Sequence, residues 1–417
     1  MLLDNPFSMD QDSDSDVSMS EDSSEDEVMS GDSPMEDDDS EEEQQEAGAE
    51  GEQEEEDELV KAITASKEFH REHPPDIVID DQDPSIHNIC FHPEQDFIAL
   101  ACTNGDIKVY KYSNDENISQ SVIEAHEDSC RDVKFSANGD TLFSASKDKS
   151  IAITDFATQK FKGIYEEAHD SPIHVISVIS ENTFATGDDD GTIKLWDLRQ
   201  SGKLPIFSVK GEGSSVNAML TNDEKKYLVC AIGDGTITTI NMPAKKVYCR
   251  TSEDAEYDEC SCMGLFKHSS KILTATNSGK FYVFDWDKFA EPTDVFRYVN
   301  KKAIACMIPI TDNIVITGDE DGVLRAFSVF PHEKLGIAGQ HGNSVDALDI
   351  SRDGSLIASS SDDSVKFWNV KYFETFDITK VQTQRNKGKK VKQAKFNLPS
   401  SKFENPSDFF DGFKNDA

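Results

Sequence analysis

One short pattern recurs through most of this chain at a near-constant interval, and that interval limits the fold more than any other feature. Each copy is a turn with Gly or Asp, then alternating apolar positions that end in an aromatic or large residue, often followed by Asp or Asn. The copies are NGDIKVYKY from Asn104, KDKSIAITDF from Lys147, DGTIKLWDL from Asp190, DGTITTINM from Asp234, SGKFYVFDW from Ser278, DGVLRAFSV from Asp321 and DDSVKFWNV from Asp362. With turn residues at 105, 149, 191, 235, 279, 322 and 363, successive spacings are 44, 42, 44, 44, 43 and 41. A sustained period of this size marks a repeat architecture. The apolar residues alternate with period two, rather than recurring at i, i+3 and i+4, and they are rich in Ile, Val, Phe and Thr, so the repeating unit is built of strands.

Upstream of each copy lies a short apolar strand, a turn such as SANGD from Ser136 or SRDGS from Ser351, and a second strand such as TLFSAS or LIASSS. Three visible strands and a linking strand make a four-stranded antiparallel blade, and seven blades set radially leave only short, protected edges. The expectation is an all-β, seven-bladed propeller over residues 75–373. The stretch DIVID, Asp76–Asp80, is expected to complete the outer edge of the seventh blade and close the ring.

These residues resemble the WD-repeat family, since Trp196-Asp197 ends the third copy in that family's form and Trp368-Asn369 ends the seventh in a near form. The resemblance implies a buried hydrogen-bonded network in each full repeat, made of a His, a Ser or Thr, the Asp of the tight turn and the Trp, whose polar atoms need partners to be tolerated there. It assigns His169, Asp190 and Trp196 to the third blade, His341, Asp363 and Trp368 to the seventh, and His126 with Asp148 to the second. Thr154, Ile240, Phe284 and Phe327 stand where other copies would have Trp, and those blades are expected to rely more on packing.

The ends of the chain differ from the repeats. The first 60 residues contain 26 Asp and Glu and no Lys or Arg, which leaves a net −14 for the rest of a chain whose total is −40. So charged and apolar-poor a segment cannot offset the entropy of ordering it, and residues 1–58 are expected to be disordered. Within it Ser13, Ser18, Ser23, Ser24, Ser33 and Ser40 each precede Asp or Glu by three residues, a pattern acidophilic kinases favour, and phosphates there would deepen the charge. Residues 59–74 are expected to form a short amphipathic helix and linker, with Leu59, Val60, Ile63 and Phe69 on one side. Residues 374–417 reverse the charge. Arg385, Lys387, Lys389, Lys390, Lys392 and Lys395 fall within eleven residues, a block that reads as a nuclear or nucleolar address or a contact to nucleic-acid phosphates. Beyond it Phe403, Phe409, Phe410 and Phe413 stand in a polar stretch, as in a peptide that folds onto a partner or back onto the propeller.

No chemistry is expected. The chain has no GxxxxGK[ST] loop, HExxH, GxSxG or paired CxxC, so the common catalytic and metal motifs lack support. His126, His169 and His341 recur at equivalent repeat positions, as structural residues do. The eight cysteines are scattered, mostly in apolar runs, as reduced thiols of an intracellular protein are. The start, MLLDNPFSMD, lacks the form of a secretion signal, and no apolar run is long enough to span a membrane, so a soluble protein is expected. No cofactor, metal or catalytic residue is assigned.

The ordered set HPPDIVID, FHPEQDFIAL, SKDKSI from Ser146, ATGDDDGTIKLWDLR from Ala185, GDEDGVLRAFSV from Gly318, the basic block and DFFDGF from Asp408 is similar to the WD repeat-containing protein 55 family. That resemblance implies a nuclear and nucleolar scaffold in ribosomal RNA processing or ribosome biogenesis, binding ribosome-assembly factors. A second reading comes from Trp196-Asp197-Leu198-Arg199, which resembles the WDxR motif by which WD-repeat receptors engage a cullin-type ubiquitin-ligase adaptor, through Asp197 and Arg199. A net −14 over residues 61–417 is poor for attracting phosphate, so RNA contact is expected only through the basic block. A monomer within larger complexes is expected.

Overall fold

The computed structural model describes residues 72–79, 84–200, 202–211, 213–251, 257–297, 302–362, 364–375 and 397–402. Within them lie seven four-stranded antiparallel sheets and one short 3-10 helix, Lys371–Thr375. The chain folds as the seven-bladed β-propeller that its repeat requires. Blade 1 spans Ile86–Glu124, blade 2 Cys130–Tyr165, blade 3 Ile173–Val209, blade 4 Val216–Arg250, blade 5 Cys260–Arg297 and blade 6 Ile304–Gln340. Blade 7 takes three strands from Ala347–Asn369 and its fourth, Ile77–Val78, from the other end of the chain.

Each repeated motif is the turn between the second and third strands of a blade, followed by the third strand. The turn requires a left-handed residue, and Gly191 supplies it at φ 80°, where a Cβ would also lie 2.5 Å from the Ser214 carbonyl oxygen. Blade 2 places Lys149 there at φ 71°. The Trp positions align in register across the blades: Trp196 faces Phe184, Thr154 faces Leu142, Ile240 faces Leu228, Phe284 faces Ile272, Phe327 faces Val315 and Trp368 faces Ile357.

The first strand of each blade touches the first strand of the next, from blade 1 round to blade 7 and back, which makes a closed inner ring. The apolar core lies between blades rather than within any one of them. Phe143, Ile151 and Tyr165 of blade 2, for example, pack with Ile173, Phe184 and Trp196 of blade 3. A lone blade would leave both faces of its sheet uncovered, so each blade depends on its two neighbours for burial.

Closure follows the expected route. Ile77 pairs with Val365 and Val78 with Ser364, antiparallel. Ile77 and Ile79 enter the core between blades 7 and 1, with Phe91, Leu100 and Phe367. The Asn117 amide donates to the Pro75 carbonyl at 2.5 Å, and the Asn369 amide to the Glu72 carbonyl at 3.1 Å.

Two further pieces complete the core between blades 6 and 7, one at the end of the propeller and one from beyond residue 373. The 3-10 helix packs Tyr372 and Phe373 into the core between blades 6 and 7, and Leu398 joins the same core. The acidic head, the helix expected before residue 72, the basic block from Arg385 to Lys395, and Phe403, Phe409, Phe410 and Phe413 lie outside the described residues, as do the six serines of the head.

Candidate interaction surface

Buried hydrogen-bonded networks fix the ends of the strands that present any surface. In blade 3 the Trp196 indole N–H donates to Thr186 Oγ1 at 2.8 Å, Thr186 lies 2.7 Å from His169 Nε2, and His169 Nδ1 lies 2.8 Å from Asp188 Oδ2. Burial lowers the His169 pKa against the pull of Asp188, so the ring is neutral at pH 7. The chain of donors then runs from Trp through Thr and His to the carboxylate, with every buried polar group satisfied. The carboxylate is Asp188 and not Asp190. Asp188 ends the second strand, and its other oxygen accepts the backbone N–H groups of Asp190 and Thr192, so it caps the turn from inside.

Blade 7 repeats the network with hydroxyls. The Trp368 indole donates to Ser359 at 2.7 Å, and His341 bridges Ser359 and Ser361 at 2.6 and 3.1 Å. Asp363 lies outside the described residues. Blade 2 lacks Trp, and His126 bridges Ser144 and Ser150 at 2.8 and 2.7 Å, with Asp148 3.6 Å away. Despite burial, the nearby His126 ring and Ser150 hydroxyl, with the backbone N–H groups of Ser150 and Glu127, hold the Asp148 carboxyl far below its usual range. Blade 6 uses an ionic substitute: Arg325 grips Asp321 with both Nη atoms at 2.9 and 2.7 Å and also reaches Asp319. Burial still lifts Asp319 to about 6.

The second residue of each innermost strand, or its equivalent, lines one cavity at the centre of the ring. From blade 1 to blade 7 these are His87, Arg131, His174, Asn217, Ser261, Ala305 and Asp346, around a volume of about 770 Å³. They follow from strand geometry, since alternate residues of an innermost strand face the centre while their neighbours face the core. The ring is uneven. Arg131 donates from Nη1 to both oxygens of Asp189 at 2.8 Å, and His174 lies 3.8 Å from the same carboxylate. Burial, then the neighbouring Arg131 charge, lowers both His87 and His174. On the far side, blades 4 to 6 offer only small or neutral side chains. Asp346 faces Ser344, and burial and Asp362 raise its pKa.

A charge cluster adjoins these positions in the same cavity. Lys134 Nζ sits 3.7 Å from Asp132, whose two oxygens accept Asn88 Nδ2 from blade 1 at 2.7 Å and the Ile176 N–H of blade 3 at 2.8 Å. Asp349 accepts the Phe91 N–H from blade 1 at 2.6 Å. Burial works to lower the Lys134 ammonium, yet Asp132, Cys90 and Asp349 outweigh it and hold it above the ordinary lysine value. Burial pushes the Asp132 and Asp349 carboxyls up in turn. These residues tie blades 7, 1, 2 and 3 together, so the cluster serves the ring's structure.

The WDxR residues lie elsewhere: Trp196 and Asp197 end the third strand of blade 3, and Leu198 and Arg199 follow it. The Arg199 guanidinium and backbone N–H all donate to the Asp197 carboxylate, at 2.7 to 3.0 Å, and hold that carboxyl down at about 2. Arg199 remains 70% exposed while so fixed. Among the described residues no three His, Cys, Asp or Glu side chains are grouped as metal ligands, and no helix is long and apolar enough to cross a membrane. Burial pushes the Cys90, Cys260 and Cys262 thiols up to about 12, far from a nucleophilic thiolate. The sequence reading missed the mouth of the central cavity because its residues do not repeat in kind. Aligning the first strands at one position per blade exposes it.

A family model described as WDR55 matches residues 74–373. A WD repeat-containing protein 55 homolog of Aedes aegypti is 45% identical over 362 residues, 86% of this chain and 75% of that protein. The homolog of Drosophila persimilis is 45% identical over 352 residues, 84% of this chain and 68% of that protein, and that of Drosophila erecta is 44% identical over 363 residues, 87% and 71%.

Proposed function

The chain belongs to the WD repeat-containing protein 55 family, and on that footing we propose that it is a non-catalytic scaffold for ribosome assembly, working in the nucleolus in ribosomal RNA processing. The observation that carries the reading is the mouth of the central cavity. A closed ring needs only apolar and hydrogen-bonded residues to hold itself together, yet here the inward positions include His87, Arg131, His174 and Asp346 at an opening that solvent reaches. Polar and charged groups arranged unevenly around a rigid rim suit recognition of a protein partner, with electrostatics setting register and orientation. The acidic, serine-rich head and the basic block suit a compartment crowded with RNA and basic proteins. RNA contact belongs to the basic block alone, and protein partners to the propeller, which acts as a monomer within larger assemblies.

A second reading is favoured by one observation: Arg199 is both exposed and held in a fixed pose by Asp197. Such a pre-ordered guanidinium suits capture by a ubiquitin-ligase adaptor. Affinity purification from cells separates the two. The intact chain is expected to bring down ribosome-assembly factors, and a chain with His174→Glu and Asp346→Lys at the mouth to lose most of them. Arg199→Ala is expected to leave them in place. Dominant recovery of a ligase adaptor, lost with Arg199→Ala, would replace the scaffold reading with the receptor one.

A further inference from the structure

The seam between blades 6 and 7 holds a peptide that arrives from far along the chain. After the 3-10 helix Lys371–Thr375, residues 397–402 return to the propeller. Asn397 forms a parallel bridge with Ile337 on the outer strand of blade 6, and the Leu398 N–H donates to the Ile337 carbonyl at 2.7 Å. Leu398 is 6% exposed and packs into the core between blades 6 and 7. Ser400 donates to the Ala338 carbonyl at 2.7 Å and lies 2.9 Å from the Tyr372 hydroxyl. Ser401 donates to Gln340 at 3.0 Å. At the end of the segment, Lys402 grips both oxygens of Asp76 at 3.1 and 2.9 Å, one residue before the closing strand, and stands 5.8 Å over the Trp368 ring.

We propose that this seam is a peptide-binding groove whose resident ligand is the chain's own Asn397–Lys402, and that the ligand acts as a clasp on the closing strand. The groove reads a short extended peptide in three ways: by edge pairing to blade 6, by an apolar side chain sunk between two blades, and by a cation set against Asp76. This is strand addition of the kind used between proteins, performed here within one chain. The clasp matters because Ile77–Val78 is only two residues long and Val78 is 73% exposed. A strand that short makes few ladder bonds and holds mainly through the burial of Ile77. Lys402 engages Asp76, the residue just before that strand, and stands over Trp368 of the strand with which it pairs, so both ends of the folded region are fastened at one place.

The test uses the full chain with a site for a specific protease inserted between Lys390 and Val391. After cleavage, the C-terminal fragment is expected to co-elute with the propeller on size exclusion, and to separate from it when Leu398→Ala is also present. In the uncut chain, amide exchange at Ile77, Val78 and Val365 is expected to rise about two- to fivefold with Lys402→Ala, a half-exposed ion pair, and about tenfold or more with Leu398→Ala. Separation of the fragment from the unsubstituted nicked chain overturns the groove. Exchange at the closing strand that neither substitution changes, or a rise spread evenly over all seven blades, overturns the clasp.

Discussion

A chain that starts at Asp83 is expected to lose roughly 3–6 kcal/mol of stability, the burial of two isoleucines at about 1.5–3 kcal/mol each. Ile77 and Ile79 are 5% and 7% exposed in the core between blades 7 and 1. The loss extends beyond area. Without the closing strand, the third strand of blade 7 presents unpaired N–H and C=O groups along an apolar edge, a template for pairing with other chains. Thermal unfolding and size exclusion check both parts: a lowered midpoint, and soluble oligomers or aggregation at concentrations where the intact chain stays monodisperse. Unchanged midpoint and elution would mean that the ring closes without its borrowed strand. The double variant Ile77→Ala with Ile79→Ala, which keeps the backbone pairing, is expected to reproduce most of the midpoint shift and little of the aggregation.

The second large effect is expected at Trp196. Replacement by Ala removes a 2%-exposed indole packed against Phe184 and Tyr165, at a cost of about 3–5 kcal/mol. The network adds a separate prediction. Thr186→Val keeps the volume but leaves the Trp196 indole N–H and one nitrogen of His169 without their partner, and is expected to cost about 1–3 kcal/mol. Urea denaturation of both variants separates packing from polar satisfaction. The contrast within the molecule is blade 2, where Thr154 occupies the Trp position fully buried, with no hydrogen-bond partner for its hydroxyl among the described residues. Substituting Val there is expected to be neutral or slightly stabilising, opposite in sign to Thr186→Val. Equal losses at the two threonines would show that the hydrogen-bonded chain in blade 3 contributes nothing of its own.

How far the sequence could be read depended on whether a residue's role repeats. The third strands and their turns recur at a fixed period, so the propeller, the number of blades and the closing strand at DIVID were all legible. The network was legible in kind but not in register. Three consecutive aspartates, Asp188, Asp189 and Asp190, precede the Gly, and the turn motif drew attention to the last. The choice is made by the strand: Asp188 is its final residue, with its side chain turned inward to His169, whereas Asp189 reaches across to Arg131 of blade 2. The mouth of the cavity was illegible for the opposite reason. Each blade contributes a different residue there, so nothing in the pattern flags it. The clasp was only half legible. The Phe-containing stretch beyond the basic block is expected to fold onto a partner or back onto the propeller, but the register of Asn397 against Ile337 and the pairing of Lys402 with Asp76 depend on contacts 60 to 326 positions apart in sequence, which no local signal carries.

The central claim, a scaffold required for ribosomal RNA maturation, is tested most directly by depleting the protein and measuring ribosomal RNA precursors. Precursors are expected to accumulate, and re-expression of the unaltered chain or of Arg199→Ala is expected to restore processing, whereas the His174→Glu and Asp346→Lys chain fails to do so while still folding. Precursor levels that stay normal on depletion, or rescue by every variant except Arg199→Ala, would contradict the account.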